Sequence, residues 1–210
     1  MSGGAHPRAG LMYGSAGPAL LFVRLYEQFG QPALLDLART ALRQDLRRCL
    51  IRDDGSMEVN EGWRTMPYLV EGSVGIGLVL DRYLAHRSDE QFSAVAAGIH
   101  RAARSVFYAQ AGLFRGRAGM IMYLSCGDPP GEHSVADHIR RLAWHAIAYQ
   151  GCTAFPGEKL LRLSMDLATG TAGALLAIGA ALHPAPVRLP FLGPPLSDPA
   201  RAGSAIPAHQ

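Results

Sequence analysis

The sequence is short of charge, of cysteine and of long apolar runs, and each shortage excludes a class of protein. Charged residues make up 18% of the 210 residues, and the net charge is +3. No block of Lys and Arg interleaved with aromatic residues is present, so nucleic acid is not expected as a partner. Three scattered cysteines without a CxxC pair are typical of reduced thiols rather than of a disulfide framework.

The N-terminus and the most apolar stretch both argue against export and membrane insertion. The first residues, MSGGAHPRAG, lack the apolar segment of a secretory signal. The stretch 167–182 is short for a membrane span and rich in glycine and alanine, which favours a buried helix. With 49% hydrophobic residues, the sequence predicts a soluble cytoplasmic protein with a substantial core and no membrane partner.

What the sequence does contain is a glycine motif that occurs four times. The pattern Leu-x-x-Gly-x-x-Gly stands at LMYGSAG (11–17), LVEGSVG (69–75), LFRGRAG (113–119) and LATGTAG (167–173). The first glycines of the four motifs are Gly14, Gly72, Gly116 and Gly170. They recur about every 50 residues, the size of one supersecondary unit. Because each motif precedes an apolar segment, it predicts a turn that leads into a buried helix.

The first unit predicts a pair of helices. Pro18 suits the first turn of an apolar helix, and Gly30 suits its C-terminal end. Pro32 then opens an amphipathic helix whose arginines lie opposite its apolar face. The expected buried residues of this second helix are Leu35, Ala38, Leu42, Leu46 and Cys49.

The later units follow the same plan. Residues 76–84 and 120–124 are expected to be inner helices, and Ser88 and Ser134 to start the outer helices that follow them. The expected buried residues of these outer helices are Phe92, Val95, Ala96, Ile99, Ala103, Val106, Val135, Ile139, Leu142, Ala143 and Ala146. The fourth unit contains only the inner helix 172–182.

This alternation predicts an all-α fold, an α/α toroid of inner and outer helices with the glycine turns at one end. Glycine there lets the backbone approach closely and leaves helix N-termini open to ligands, although close packing of the inner helices is the simpler role. Residues 10–182 would form this body. Residues 1–9 would be a flexible N-terminus, and residues 183–210 a proline-rich tail of low order in which LPFL (189–192) is able to dock.

Four linked motifs in this order resemble the lanthionine synthetase C-like family, the cyclase domains of lanthipeptide synthetases. The resemblance covers most of residues 10–182, includes EGWRTMPYLVEGSVGIGLVLDRYL, and is specific for the cyclase region of class III, three-domain synthetases. It implies addition of cysteine thiols to dehydroalanine or dehydrobutyrine in a dehydrated precursor peptide, giving lanthionine or labionin. It also implies an incomplete toroid, with about four of about seven repeats.

The resemblance further implies where zinc ligands would lie. Zinc-dependent members hold the metal with a cysteine in Trp-Cys-x-Gly and a Cys-His pair before the next GxxG, and a further histidine handles protons. The aligned positions here are Val70, then Phe114 and Arg115, then Tyr13 for the further histidine. Valine and phenylalanine cannot bind Zn²⁺, so no metal cofactor is expected, as in class III cyclases.

Without zinc, the resemblance leaves Tyr13, Glu71 and Arg115 as candidate catalytic residues. Arg115 would favour a thiolate or stabilise an enolate oxygen. Tyr13 would donate a proton, although phenols are weak acids near neutral pH. Glu71 would be a base or an ion-pair partner of Arg115, and the three could equally form a structural polar cluster. The expected substrate-binding positions are Gly14, Gly72, Gly116, Thr169 and Gly170.

Two other functions remain open. A non-catalytic scaffold would bind the peptide or a partner enzyme, and the missing ligands and repeats favour it. An α/α-barrel glycosidase would need two carboxylates about 5 to 9.5 Å apart, for which Glu58, Glu61, Glu71 and Asp166 are candidates, but the chain has only two tryptophans to stack on sugars. Expected partners are the dehydrated precursor peptide and a separate lyase or kinase chain, or a second copy that closes the toroid.

Overall fold

The structure is a computed structural model that describes residues 8–126, 132–184 and 188–193. The described residues form seven α-helices and two small antiparallel sheets. The helices are α1 (Ala16–Phe29), α2 (Pro32–Leu46), α3 (Ser73–Leu84), α4 (Glu90–Ala103), α5 (Arg117–Leu124), α6 (Glu132–Leu142) and α7 (Thr171–Leu182). The strands are β1 (Cys49–Ile51), β2 (Met57–Asn60), β3 (Thr65–Met66), β4 (Ile147–Tyr149) and β5 (Cys152–Ala154).

The prediction of an all-α toroid is wrong, because the fold is mixed. A sheet in the order β1-β2-β3 lies between α2 and α3, with Leu50 opposite Glu58 and Val59 opposite Met66. A two-stranded hairpin, β4-β5, follows α6. None of these strands exceeds four residues, which is too short for a period-two pattern to stand out in the sequence.

The helix signals of the first unit are confirmed. α1 ends at Gly30, which has φ 68° and donates its N–H to the Tyr26 carbonyl at 2.8 Å. α2 begins at Pro32. Its expected residues Leu35, Ala38 and Leu42 are buried and Leu46 is half-buried. Cys49 is half-buried, but it lies in β1 and not on the helix.

The predicted starts of the outer helices α4 and α6 are wrong by one or two residues. Asp89, not Ser88, caps α4 and accepts the N–H of Phe92 at 3.2 Å. α6 begins before Ser134, at Glu132. The expected residues that are buried or half-buried are Phe92, Val95, Ala96, Ile99, Ala103, Val135, Ile139 and Leu142. The exposed ones are Val106, Ala143 and Ala146, because each lies beyond the end of its helix.

The helices that follow the glycine motifs pack next to one another in the order α1, α3, α5, α7. α2 packs on α1, α4 on α3, and α6 on α5. All eight residues of α5 are buried, whereas α7 leaves Leu175 and Leu182 exposed on one side. None of the helices in the described residues is both long enough and apolar enough to cross a membrane.

Both ends of the chain have described residues that join the core. Ala9 is buried, while residues 1–7 of the expected flexible N-terminus lie outside the described residues. Leu189 and Leu192 of the LPFL segment are buried in the core. Arg82 of α3 donates to the Gly193 carbonyl at 2.7 Å. Residues 185–187 and 194–210 of the expected tail lie outside the described residues.

Candidate functional site

The four glycine motifs are joined side by side by backbone hydrogen bonds. Met12 N–H donates to the Val70 carbonyl at 3.0 Å, Val70 N–H to Phe114 at 3.2 Å, and Phe114 N–H to Ala168 at 2.9 Å. These residues hold the same place in each motif, so the four turns run parallel and in register. We call this arrangement (residues 11–17, 69–75, 113–119 and 167–173) the turn row. It lies at the N-termini of α1, α3, α5 and α7.

The second glycine of each motif is required by close backbone packing. A Cβ on Gly17 would lie 2.6 Å from the carbonyl oxygen of Leu11, the leading leucine of its motif. On the other three it would lie closer still to the corresponding leucine oxygen; these are Gly75, Gly119 and Gly173. Any side chain would therefore push the helix away from its turn.

The first glycines also pack tightly. Gly72, Gly116 and Gly170 immediately precede the first helical residues of α3, α5 and α7, while Gly14 stands before Ser15, which precedes α1. A Cβ on Gly116 would lie 2.5 Å from the Gln110 carbonyl oxygen. Packing thus explains these glycines without a ligand, and their role in substrate binding stays a prediction. Thr169 is the one expected substrate-binding position that is not a glycine.

Of the expected site residues, Glu71 and Arg115 pair directly on the turn row, and Arg8 connects this pair to Tyr13. The Arg115 Nε lies 2.9 Å from Glu71 Oε1, and Arg8 Nη1 lies 3.4 Å from Glu71 Oε2. The Arg8 guanidinium also stands 4.9 Å from the centroid of the Tyr13 ring, within the range of a cation–π contact. The order along the row is therefore Tyr13, Arg8, Glu71, Arg115. Sequence reasoning missed Arg8 because it precedes the first motif.

Burial differs sharply among these side chains. The Glu71 side chain is 6% exposed, whereas those of Arg115 and Arg8 are 39% and 55% exposed. Two guanidinium groups thus contact one buried carboxylate and retain access to solvent. Such a surface can bind an anion or stabilise a developing negative charge.

Thr169 belongs to a separate, local network in the fourth turn. Its N–H donates to Asp166 Oδ1 at 2.7 Å, and its hydroxyl donates to Oδ2 at 2.8 Å. The Ser164 hydroxyl makes a further contact with the same carboxylate. The hydrogen bond from Ser164, with those from Thr169, lowers the pKa of Asp166 to about 2. A general acid of a glycosidase needs a raised pKa, so Asp166 is unsuited to that role.

The positions aligned with zinc ligands hold no metal-binding atoms. Val70 is buried and Phe114 is half-buried against the core. Within residues 8–126, 132–184 and 188–193, no group of three or more His, Cys, Asp or Glu side chains is arranged to hold a metal ion. The absence of a metal cofactor stays a prediction.

Asp45, on α2, holds the first turn through its side chain. This role was not predicted from the sequence. The residue is buried, and its carboxylate accepts the N–H groups of Gly10 at 3.0 Å, Ser15 at 2.8 Å and Ala16 at 2.9 Å. It therefore caps the N-terminus of α1 from another helix. Burial raises the pKa of Asp45, while these hydrogen bonds oppose the rise. The sequence did contain one indication of this role: Asp45 lies three residues after Leu42, and therefore on the apolar face of α2, where an unpaired carboxylate is unfavourable.

Arg117 and His138 lie beneath the third turn. Arg117 is 1% exposed. Its Nη1 donates to His138 Nδ1 at 3.1 Å, its Nη2 donates to Val106 at 3.2 Å, and its guanidinium stands 5.5 Å from the Tyr108 ring. His138 Nε2 contacts the Ala103 carbonyl at 2.9 Å, which fits a neutral ring that donates from Nε2. Burial, and then the charge of Arg117, lower the pKa of His138 to about 4.

The geometry defines a protein with an ordered row of glycine turns and a partly exposed arginine-carboxylate cluster on it. The chain is 57% identical over 192 residues to a protein named probable SapB synthase from Streptomyces coelicolor. The match covers 90% of this chain and 21% of that protein. No protein-family model matches the chain. The similarity relates the chain to a synthase, in agreement with its resemblance to lanthipeptide synthetases.

Proposed function

We propose that the turn row is the reaction surface of a lanthipeptide cyclase region. It would join cysteine thiols of a dehydrated precursor peptide to dehydroalanine or dehydrobutyrine without a metal. The observation that carries the proposal is Arg115, a partly exposed cation held by Glu71 at a position where the resemblance places a zinc ligand. The identity shared with a protein named as a synthase supports the reaction class.

The proposed reaction is a Michael-type addition that balances without a cofactor. The cysteine sulfur bonds to Cβ of the dehydro residue, the Cα=Cβ π bond breaks, and its electron pair moves to the carbonyl oxygen as an enolate. A proton then adds to Cα. Because the thiol releases one proton and Cα gains one, the step is redox-neutral.

The arginines would supply the electrostatic part of this chemistry. Arg115 would face the enolate oxygen, where a fixed cation stabilises charge that develops during the reaction. Glu71 would position Arg115 through the 2.9 Å ion pair. Tyr13 is the proposed proton donor to Cα, and Arg8 would hold its ring. A separate lyase or kinase chain would supply the dehydrated peptide.

Replacement of Arg115 tests this assignment. Arg115→Met should lower the chain-dependent rate of thioether formation about 100-fold, as expected for loss of a group that stabilises an oxyanion. The rate is measured as loss of free thiol after mixing with dehydrated peptide, corrected for the chain's own cysteines and for the spontaneous reaction. Arg115→Lys keeps the charge and should retain part of the rate.

Arg64→Met is the matched control. Arg64 pairs through its Nε with Glu61 at 2.8 Å and has a similarly exposed side chain, but it lies in the β2–β3 turn. Its replacement should leave the rate unchanged. Equal rates for the Arg115→Met chain and the unaltered chain would reject the proposal.

A non-catalytic peptide-binding scaffold is the second candidate. It is favoured by the exposed apolar side chains on the turn row, Met12 and Leu167, which are 56% and 42% exposed. A scaffold would bind the dehydrated peptide but leave thiol loss at its spontaneous rate. The same mixture therefore separates the two functions.

A further inference from the structure

The end of α2 holds residues 8–16, the segment that forms the first turn and the approach to it. Asp45 accepts three N–H groups of this segment, and Gln44 Oε1 accepts a serine hydroxyl from it at 3.1 Å. Arg48, two residues beyond α2, donates from Nη1 to the Arg8 carbonyl at 2.6 Å. The first two side chains hold the turn itself, whereas Arg48 holds the residue that reaches into the candidate site.

The backbone of Arg48 is itself fixed on both sides. Its N–H donates to the Asp45 carbonyl at 3.0 Å, and its carbonyl accepts the Asn60 N–H of β2 at 2.8 Å. Arg48 is thus held between α2 and the sheet, so its side chain starts from a defined place. A charged donor in such a place holds a carbonyl more strongly than a neutral donor does.

This contact matters because of where the segment that begins at Arg8 runs. Ala9 is buried. Gly10 has φ 107° and passes so close to the second turn that a Cβ on it would lie 2.8 Å from Glu71 Cα. The Arg8 guanidinium contacts both the Tyr13 ring, at 4.9 Å, and Glu71 Oε2, at 3.4 Å. Its side chain is 55% exposed, so the direction in which it leaves the backbone depends on how the backbone is held.

We propose that Arg48 is a positioning residue of the candidate site. By holding the carbonyl of Arg8, it directs that residue's guanidinium onto Glu71 and the Tyr13 ring, and so sets the orientation of the ring. This proposal rests on the proposed function, in which Tyr13 gives a proton to Cα of the peptide. A misplaced proton donor slows the chemical step and leaves peptide binding nearly unchanged.

Replacement of Arg48 tests the proposal. The probe is a synthetic peptide with one cysteine and one dehydroalanine, and its reaction is followed as loss of free thiol, corrected for the chain's own cysteines and for the spontaneous reaction. Arg48→Met should lower kcat about fivefold and change KM less than about twofold, because one charged donor that is open to water is lost. Arg48→Lys keeps a charged donor and should restore most of kcat. Arg47→Met is the matched control and should change neither constant, since Arg47 is the exposed neighbour and the contact with Arg8 is made by Arg48.

A double-mutant cycle separates positioning from a general loss of structure. Arg8→Met should lower kcat at least as much as Arg48→Met does, and the two changes together should lower it no further than Arg8→Met alone. Additive effects would overturn the proposal, because Arg48 would then act without Arg8. An unchanged kcat in Arg8→Met would overturn it as well, whether or not Arg48→Met folds.

The NMR signal of the Tyr13 ring, assigned with Tyr13→Phe, gives a measurement that needs no reaction. Arg48→Met and Arg8→Met should shift this signal in the same direction, because both move a cation away from the ring, and Arg47→Met should leave it in place. The signal of Tyr83, which is buried on α3, should stay unchanged in all three variants and report on an intact fold. A Tyr13 signal that Arg48→Met leaves unmoved would overturn the proposal.

Failure of the positioning role can be distinguished from failure of the proposed function. If the unaltered chain accelerates thioether formation while Arg48→Met alters neither kcat nor the Tyr13 signal, the positioning role is wrong and the cyclase assignment stands. If Arg48→Met and Arg8→Met shift the Tyr13 signal alike but the unaltered chain never accelerates the reaction, Arg48 does position Arg8 and the cyclase assignment is wrong.

Discussion

The first and fourth turns share the same glycine spacing, but they are held in different ways. The first turn depends on Asp45, a buried carboxylate on another helix that accepts three backbone N–H groups. The fourth turn is held by its own Asp166, which is exposed and bonds to Ser164 and Thr169 within three residues. The third turn resembles the first, since the buried His138 of α6 contacts Arg117 beneath it.

The difference shows that one motif can be stabilised by the tertiary fold or by local sequence. Removing a buried carboxylate that accepts three N–H groups lowers the free energy of unfolding strongly, because the donors stay buried without a partner. Removing an exposed carboxylate lowers it little, because water replaces the carboxylate as the hydrogen-bond acceptor. We therefore expect the first and third turns to be rigid parts of the fold and the fourth turn to be only weakly coupled to it.

The largest expected effect is that of Asp45→Ala. It should lower the free energy of unfolding by roughly 4 kcal/mol, because three charge-assisted hydrogen bonds are lost at a buried helix N-terminus. Urea unfolding followed by circular dichroism measures the change. Asp36→Ala is the control on the same helix: Asp36 is exposed and pairs with Arg87, so the loss should stay below about 1 kcal/mol. A similar loss in both variants would contradict the role of Asp45.

The contrast between local and distant support also explains what the sequence could predict. Pro18, Gly30 and Pro32 mark helix ends by their own backbone chemistry, so α1 and α2 were placed correctly. The repeat put Glu71 and Arg115 at equivalent places in adjacent turns, and the structure brings them together.

Contacts made across the fold were not predictable in this way. Arg8 precedes the first motif, Asp45 lies on another helix, and Arg117 meets His138 across 21 residues. The strands were missed because pieces such as Cys49–Ile51 carry no period of their own, and their pairing depends on the partner strand. The all-α prediction failed for this reason, while the four glycine turns were recognised.

The third turn should be sensitive to mild acid through His138. Its pKa is lowered to about 4 from 6.5, so between these values the unfolded chain binds a proton that the folded chain does not. Stability is complete above about pH 6.5 and decreases as the pH falls towards 4, by roughly 3 kcal/mol in total. Urea unfolding at a series of pH values measures this loss.

His138→Gln isolates the contribution of this histidine from the seven others in the chain. Glutamine does not titrate, so the variant should be less stable at pH 7 but have a flatter dependence on pH between 6.5 and 4. Identical pH profiles for the two chains would show that the third turn is not held by a neutral histidine.

The smallest effect is expected for Asp166→Ala in the fourth turn. Loss of this exposed carboxylate, which accepts hydrogen bonds from Ser164 and Thr169 before the start of α7, should cost about 1 kcal/mol, typical of a single local hydrogen bond. Because hydrogen bonding lowers the pKa of Asp166 to about 2, its contribution is complete above about pH 4 and is lost as the pH falls through 2. Unfolding is therefore compared at pH 7, with Asp137→Ala, at the exposed ion pair with Arg140, as the control. A loss as large as that of Asp45→Ala would mean that the hydrogen bond from Phe114 to Ala168 couples the fourth turn to the rest of the row, and the distinction between local and distant support would fail.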